Sequence, residues 1–372
     1  MNLYAKKEEC CGCSACADIC PVNAVHMISD GEGFQYPRID KKVCIRCQRC
    51  EQVCPIKNSV NGDDENLYYG AQAKNSETRY ASSSGGVFPI LAEYVFSKKG
   101  VVYGAAYNKR MEVVHREAHN KKELELLKKT KYVQSNLDGI YCKIQSHLEE
   151  GRWVLFCGTP CQAHALRLFL EKSYERLVVV SLICYGVPSP GIWNHYVKYL
   201  ENRHHGKLDH FFFRDKRNRD NGHVRSYVMN TIEYTDSFYH DIYCRMYATN
   251  LILRPSCHQC KFCTVDRDSD FTIGDFWGIE HVREEFDDGM GTSVVILHTQ
   301  RAKEIWEQIK EELLWFACEK KDVLQPRLLK PTDMAKRRQC FMMFYKILPF
   351  SLFLPLLRKA ISACTWFRRL KE

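Results

Sequence analysis

Cys10, Cys13, Cys16 and Cys20, followed by Pro21, recur thirty-four positions later as Cys44, Cys47, Cys50 and Cys54, followed by Pro55. No other feature restricts the chain as tightly. A C-x2-C-x2-C run wraps three thiols around one point and leaves a fourth ligand to arrive from elsewhere, which is what a cubane 4Fe-4S cluster requires. Structural zinc normally stops at four ligands from two C-x2-C pairs, so two complete C-x2-C-x2-C-x3-C-P runs point to iron rather than zinc. Where two clusters share such a repeat, the cysteine before proline ligates the other cluster. The expected sets are therefore Cys10, Cys13, Cys16 and Cys54 for one 4Fe-4S cluster, and Cys44, Cys47, Cys50 and Cys20 for the other. Cys11 lies inside the first loop, is surplus to this count, and reads as a spectator.

The chain has 372 residues, enough for one small module and one large one with its own core. It carries 20 cysteines, but Met1 to Glu9 has no apolar run of the secretory kind, so reduced thiols and a cytoplasmic location are expected. The formal charge of +9 counts those cysteines as neutral. Each oxidised cluster with four thiolates carries about −2, so two clusters lower the net charge to roughly +5, and nucleic acid is not an expected partner. The most apolar stretch, Phe341 to Leu357, is interrupted by Lys346, Pro349 and Pro355, and no membrane span is expected.

These observations divide the chain into a two-cluster module over 1–60, a polar linker over 61–66, a larger unit over 67–340 and a basic apolar tail over 341–372. The linker falls in the turn-rich stretch Lys57 to Asn66. From Leu67 apolar periodicity alternates between strand and helix. An extended YYGAQA leads to a helix with Val87, Ile90, Leu91, Tyr94 and Val95, which Ser84 can cap and Gly100 can stop. Strands from Val101, over Trp153 to Phe156 and over Leu177 to Ile183 alternate with helices around Lys121 to Lys129, Gly139 to Glu150, Ala163 to Lys172 and Gly191 to Asn202. Strand-like runs follow Asp209, then a strand FTIGDFWG and a last helix around Ala302 to Leu314. The fold class expected is an α+β two-cluster domain followed by a larger α/β domain. For the tail, a membrane interface, a partner and packing on its own domain all stay open.

Within the large unit, Ser82-Ser83-Ser84-Gly85-Gly86 stands between a strand and a helix. Backbone N–H groups there can hold a phosphate, although an ordinary capped turn gives the same residues. Gly158-Thr159-Pro160-Cys161, Cys184-Tyr185-Gly186-Val187-Pro188 and Cys257-x2-Cys260-x2-Cys263 follow at later strand ends, where α/β sheets place ligands. Spacing alone leaves a third cluster and unliganded buried thiols as two readings of these cysteines. The basic run Arg214, Lys216, Arg217, Arg219 and Arg225 suits either an anionic ligand or a solvated face, and Arg254 stands where it could tune a cluster's potential.

Together these motifs resemble the beta subunits of coenzyme F420 (deazaflavin) hydrogenases and dehydrogenases, in the version with a fused two-cluster ferredoxin domain. The resemblance rests on SSSGGVF at Ser82, KYVQS at Lys131, LFCGTPCQ at Leu155, CYGVPSP at Cys184, LRPSCHQCKF at Leu253 and TIGDFWG at Thr272, in the order that family has them. It implies that the large α/β domain, with parts over about 67–150 and 151–340, binds FAD beside a third 4Fe-4S cluster and couples hydride chemistry to single-electron carriers. It further implies Cys161, Cys184, Cys257 and Cys260 as ligands of that cluster, and Ser83, Ser84, Gly85, Gly86, Lys131, Gly158, Thr159 and Asp275 as flavin neighbours. No catalytic residue is implied. Cys157 and Cys263 add thiols near these ligands, and the later part of FFFRDKRNRDNGHVRSY departs from the family pattern, so the substrate stays open among a deazaflavin, a nicotinamide and a sugar-linked compound. Relatives with the fused domain resemble proteins of bacterial surface-polysaccharide biosynthesis. The rival expectation is an electron-transfer adaptor without substrate, wiring a redox partner protein to ferredoxin.

Overall fold

The computed structural model describes residues 3–58, 65–216 and 224–354. Most of the expected linker, Arg217 and Arg219 of the basic run, and the basic end of the tail lie outside the described residues.

The sequence repeat is also a backbone repeat. Ser14 and Gln48 both take left-handed conformations, at φ 69° and φ 62°, and each opens a short helix, Ala15–Asp18 and Arg49–Gln52, that carries one cysteine of its run. Between the halves, β1 (Val25–Ser29) and β2 (Gln35–Ile39) form an antiparallel hairpin. This module shares a core with the large one: Cys11, Cys13, Ala15, Ile19 and Val53 pack with Leu137, Tyr141, Phe156 and Leu166. It is docked rather than merely tethered.

The large unit is built on one mixed sheet of eight strands. They are β3 (Leu67–Ala73), β4 (Val101–Tyr107), β5 (Val113–Ala118), β6 (Val154–Gly158), β7 (Leu177–Leu182), β11 (Phe271–Asp275), β12 (Ser293–Leu297) and β13 (Leu313–Cys318), in the order β13-β3-β12-β11-β7-β6-β4-β5. At its centre β4, β6, β7 and β11 run parallel. Leu177 to Val180 are fully buried, as a parallel strand covered on both faces requires. Strands from before and after residue 150 are hydrogen-bonded in this sheet, so the two parts of the large unit are one folded body. The parallel strands all end at one edge. β3 also ends there and β12 begins there, because Ser293 pairs with Ala71 and with Asp275. The motif loops after β3, β6, β7 and β11 are thereby delivered to the same edge, whereas Cys257, expected at a strand end, lies in the short helical turn Pro255–Gln259 ahead of β11.

Several local expectations are corrected. The helix after Thr159 begins at Pro160 and runs to Leu170, so Cys161 lies in its first turn rather than in a loop; proline at the first helical position sets that start. Gly86, not Ser84, precedes the helix Val87–Ser97, and Ser84 donates to Thr292 O instead. The helix expected over Lys121 to Lys129 is limited to Lys121–Leu124. The one expected over Ala302 to Leu314 is Gln300–Ile309, and Leu313 and Leu314 belong to β13. Strands β5, β12 and β13 were not anticipated.

A second sheet, β8 (Leu208–Phe212), β9 (Val224–Met229) and β10 (Ile232–Ser237), closes an aromatic core around Trp193. Phe341, Met342, Tyr345, Phe353 and Leu354 are buried in that core, so the described part of the tail packs on its own domain through the helix Arg338–Ile347. No helix among the described residues is long and apolar enough to cross a membrane.

Candidate functional site

The eight repeat cysteines fall into two neighbourhoods, and the neighbourhoods are crossed. Cys54 lies beside Cys10 and Cys16, while Cys13 adjoins both of those. Cys20 lies with Cys44, Cys47 and Cys50 around one cavity that is also lined by Val22, Val25 and Ile39. The inner set is deeply placed; in the outer set Cys47 is exposed. Donors already point at the sulfurs: Ala24 N–H donates to Cys20 Sγ at 3.1 Å, and Arg254 Nη2 approaches Cys10 Sγ at 3.6 Å.

Cys161, Cys184, Cys257 and Cys260 meet at the sheet edge, each within electrostatic reach of the others. Three elements bring them there. Cys161 sits in the first turn after β6, where Thr159 Oγ1 lies 3.2 Å from its sulfur. Cys184 follows β7, and Val187 N–H donates to Cys257 Sγ at 3.4 Å. Gly186 permits that approach: at φ 137° it takes a conformation few side chains adopt, and a Cβ there would stand 3.3 Å from Cys257 Cβ. Cys263 hydrogen-bonds Cys260 and belongs to this neighbourhood. Cys157 does not; its thiol lies near Lys131, and its carbonyl meets His115 Nε2 at 3.1 Å.

The donor set suits iron. Burial pushes the Cys184 thiol up to about 12 and the Cys257 thiol well above its ordinary value, so thiolates there need positive charge beside them. Iron would supply it, and Arg267 adds a cation. Its buried guanidinium donates to Thr264 O at 3.0 Å and Leu182 O at 2.8 Å and faces Cys184, Cys260, Cys263 and Cys161. Among the described residues no three His, Cys, Asp or Glu side chains are gathered closely enough for a single metal ion, a tighter demand than the corners of a four-iron cube.

The remaining motif residues surround a neighbouring cationic region. Ser83 Oγ accepts from Thr130 N–H at 2.8 Å, next to Lys131, and Gly85 N–H donates to Ser293 Oγ at 2.9 Å. Ser84 thus spends its proton bracing the loop, whereas Ser83 accepts there and keeps its O–H to donate. The helix Val87–Ser97 has no side-chain cap, so its first N–H groups stay open. Lys216 Nζ donates to Arg79 O at 2.8 Å and Ser84 O at 2.7 Å, while Arg214 pairs with Asp275 and with Tyr132. Burial pushes both the Lys131 and Lys216 amines down to about 7, Lys216 with help from Arg214 and Arg79. Arg79, Arg214 and Lys216 stand together here beside Asp275 and Asp288, so an anionic cofactor fits the region. Arg225 leaves the basic run and pairs with buried Asp241 at 3.1 Å, which is a structural role.

Sequence reasoning missed Arg267 and set Cys11 aside. Cys11 is buried and hydrogen-bonds both Cys13 of the inner set and Cys161 of the third group. Neither residue belongs to a spaced motif, so only the fold could assign them places.

Comparison with known proteins agrees with this layout. Residues 151–321 match the family described as the C terminus of the beta subunit of coenzyme F420 hydrogenase/dehydrogenase, and residues 9–58 match the 4Fe-4S dicluster domain. Over 192 residues the chain is 27% identical to the F subunit of F(420)H(2) dehydrogenase from Methanosarcina mazei, a match covering 48% of this chain and 53% of that protein. The chain therefore spans about half the length of this curated relative. A chain of the F420-reducing NiFe hydrogenase complex from Methanosarcina barkeri, solved in a xenon derivatization, aligns with TM-score 0.45 and 16% identity over 81% of this chain and 92% of that one. Over residues 151–321 the chain is thus similar to the C terminus of coenzyme F420 hydrogenase/dehydrogenase beta subunits, and over residues 9–58 to a 4Fe-4S dicluster domain.

Proposed function

We propose that the protein is an iron–sulfur flavoprotein oxidoreductase in which a third 4Fe-4S cluster, held by Cys161, Cys184, Cys257 and Cys260, links an FAD site to the ferredoxin pair. One observation carries the reading: Cys11 touches Cys13 and Cys161, so the third thiol group and the inner set adjoin without intervening solvent. FAD supplies exchange between hydride chemistry and single electrons. The chain's own part is to bind and tune. Lys131, Arg214 and Lys216 offset the negative charge of a dinucleotide, the open N–H groups of the helix Val87–Ser97 receive phosphate, and Arg267 lowers the cost of holding thiolates in a buried place. A reduced deazaflavin is the first substrate to test, because the curated relative is named for F(420)H(2); nicotinamide and sugar-linked compounds complete the screen.

A second reading is an adaptor without FAD that only wires a partner to a ferredoxin pool. The Ser84 hydroxyl favours it, since its proton goes to Thr292 O and leaves only the Ser83 O–H and the backbone as donors at that loop. Anaerobic purification decides. The flavoprotein reading expects about twelve irons and one FAD per chain, with Cys257→Ser losing about four irons while the paramagnetic signals of the ferredoxin pair persist. About eight irons without flavin favours the adaptor. Unchanged iron in Cys257→Ser overturns the third-cluster assignment.

A further inference from the structure

We propose that the loop Lys41–Arg49, which encloses the outer cysteine set, is the docking surface for an acidic one-electron carrier protein. The proposal rests on the iron–sulfur electron-transfer reading above and names where electrons cross the protein surface.

Depth orders the cysteines. Cys11 and Cys13 are buried against the large module, whereas Cys47 is the exposed member of the eight repeat thiols. A protein carrier can therefore approach the outer set more closely than the inner one. The loop has the composition of a transient redox interface. Val43 and Ile45 are 47% and 61% exposed, an apolar centre next to the cluster ligands. Around them stand Lys41, Lys42, Arg46 and Arg49, and the segment contains no acidic residue. Arg49 is drawn toward Glu171 at 3.5 Å, while Lys41, Lys42 and Arg46 have no carboxylate partner among the described residues. A small apolar centre with a basic rim suits a weak encounter steered by charge, and steering selects an acidic partner. The step itself is simple. One electron leaves the reduced outer cluster and enters the partner's one-electron centre, or returns, and no bond forms or breaks.

An acidic flavodoxin is the probe, because its semiquinone can be followed against the weak absorbance of the clusters. Dithionite-reduced protein is mixed anaerobically with oxidised flavodoxin in a stopped-flow instrument. The bimolecular rate is expected to fall steeply as salt is raised. Lys41→Glu/Lys42→Glu should lower it about tenfold at low ionic strength and flatten the salt dependence, with methyl viologen reduction unchanged. Lys320→Glu in the large module should leave the flavodoxin rate unaltered. Wild-type transfer that does not slow with salt overturns the docking surface without need of any variant. So does a charge-reversed protein that keeps its iron and its rate. Loss of methyl viologen reduction and of iron in the wild type would instead sink the electron-transfer reading beneath it.

Discussion

Arg254 shows how much one side chain can decide. It is fully buried, and donates to Cys10 O at 2.8 Å, Gln35 O at 2.9 Å and Gln134 Oε1 at 3.0 Å. The Tyr36 ring lies over its guanidinium at 4.3 Å. Gly12 makes room for it, since a Cβ at that left-handed position would stand 2.6 Å from Arg254 Nη1. A buried cation without a counter-charge is costly, and thiolates of the inner cluster provide one. Positive charge and N–H donation to sulfur raise a cluster's reduction potential by stabilising its more negative state. Arg254→Gln should therefore lower the potential of the inner cluster and leave the outer one where it was, as read by a potentiometric titration followed by paramagnetic resonance. An unshifted inner potential would reduce Arg254 to a strut. Its place beside a cysteine loop marked it in the sequence as a tuning residue, but the cluster it faces was hidden, because Cys10 is 244 positions away. Cys257, three residues on, belongs to a different thiol group.

Elements were legible where their own pattern sufficed. The central strands β6 and β7 are nearly continuous apolar runs, and the helix Val87–Ser97 carries its stripe at helical spacing. β5 was obscured by the charges in VVHREA, and β13 by the lack of a glycine or proline between it and the preceding helix, so that helix was drawn on through Leu314. The tail helix Arg338–Ile347 could not be placed, because what holds it is distant. Arg338 donates to Glu32 at 2.7 Å and to Leu253 O, and Lys346 reaches Glu32 at 3.5 Å. Glu32 sits in the turn between β1 and β2, so one nearly buried carboxylate ties the ferredoxin module to the last helix. Arg338→Ala leaves that carboxylate only the more exposed Lys346 and Lys7 and should destabilise the protein by about 1–3 kcal/mol. Arg338→Ala with Glu32→Gln should recover part of the loss in denaturant unfolding. A double variant no more stable than the single one would mean that packing, not charge, holds the helix.

Across the whole molecule the two modules share a core, and a single buried imidazole fastens the start of the large module to its central sheet. His298 ends β12, between Thr272 Oγ1 at 2.8 Å and Asn66 Oδ1 at 2.9 Å, and Asn66 is where the chain enters β3 from the linker. Asn66 Nδ2 donates to Asp266, which makes its Oδ1 an acceptor; His298 then holds its proton on Nδ1 and accepts from Thr272 through Nε2. The neutral ring is fully satisfied. Burial, aided by the Arg267 charge, pushes its pKa down to about 3, from an ordinary value near 6.5. The unfolded chain therefore binds the proton more readily, and the stability linked to this ring is complete above about 6.5 and drains away as pH falls toward about 3. Between pH 7 and pH 5 the loss should amount to about 2 kcal/mol. His298→Gln keeps a donor and an acceptor but cannot titrate, so its unfolding free energy should fall by about 2 kcal/mol less than the wild type's over the same interval. Acid release of iron is common to both proteins, and the difference between their slopes isolates the ring. Parallel slopes would place the proton elsewhere and remove His298 from the acid sensitivity of the fold.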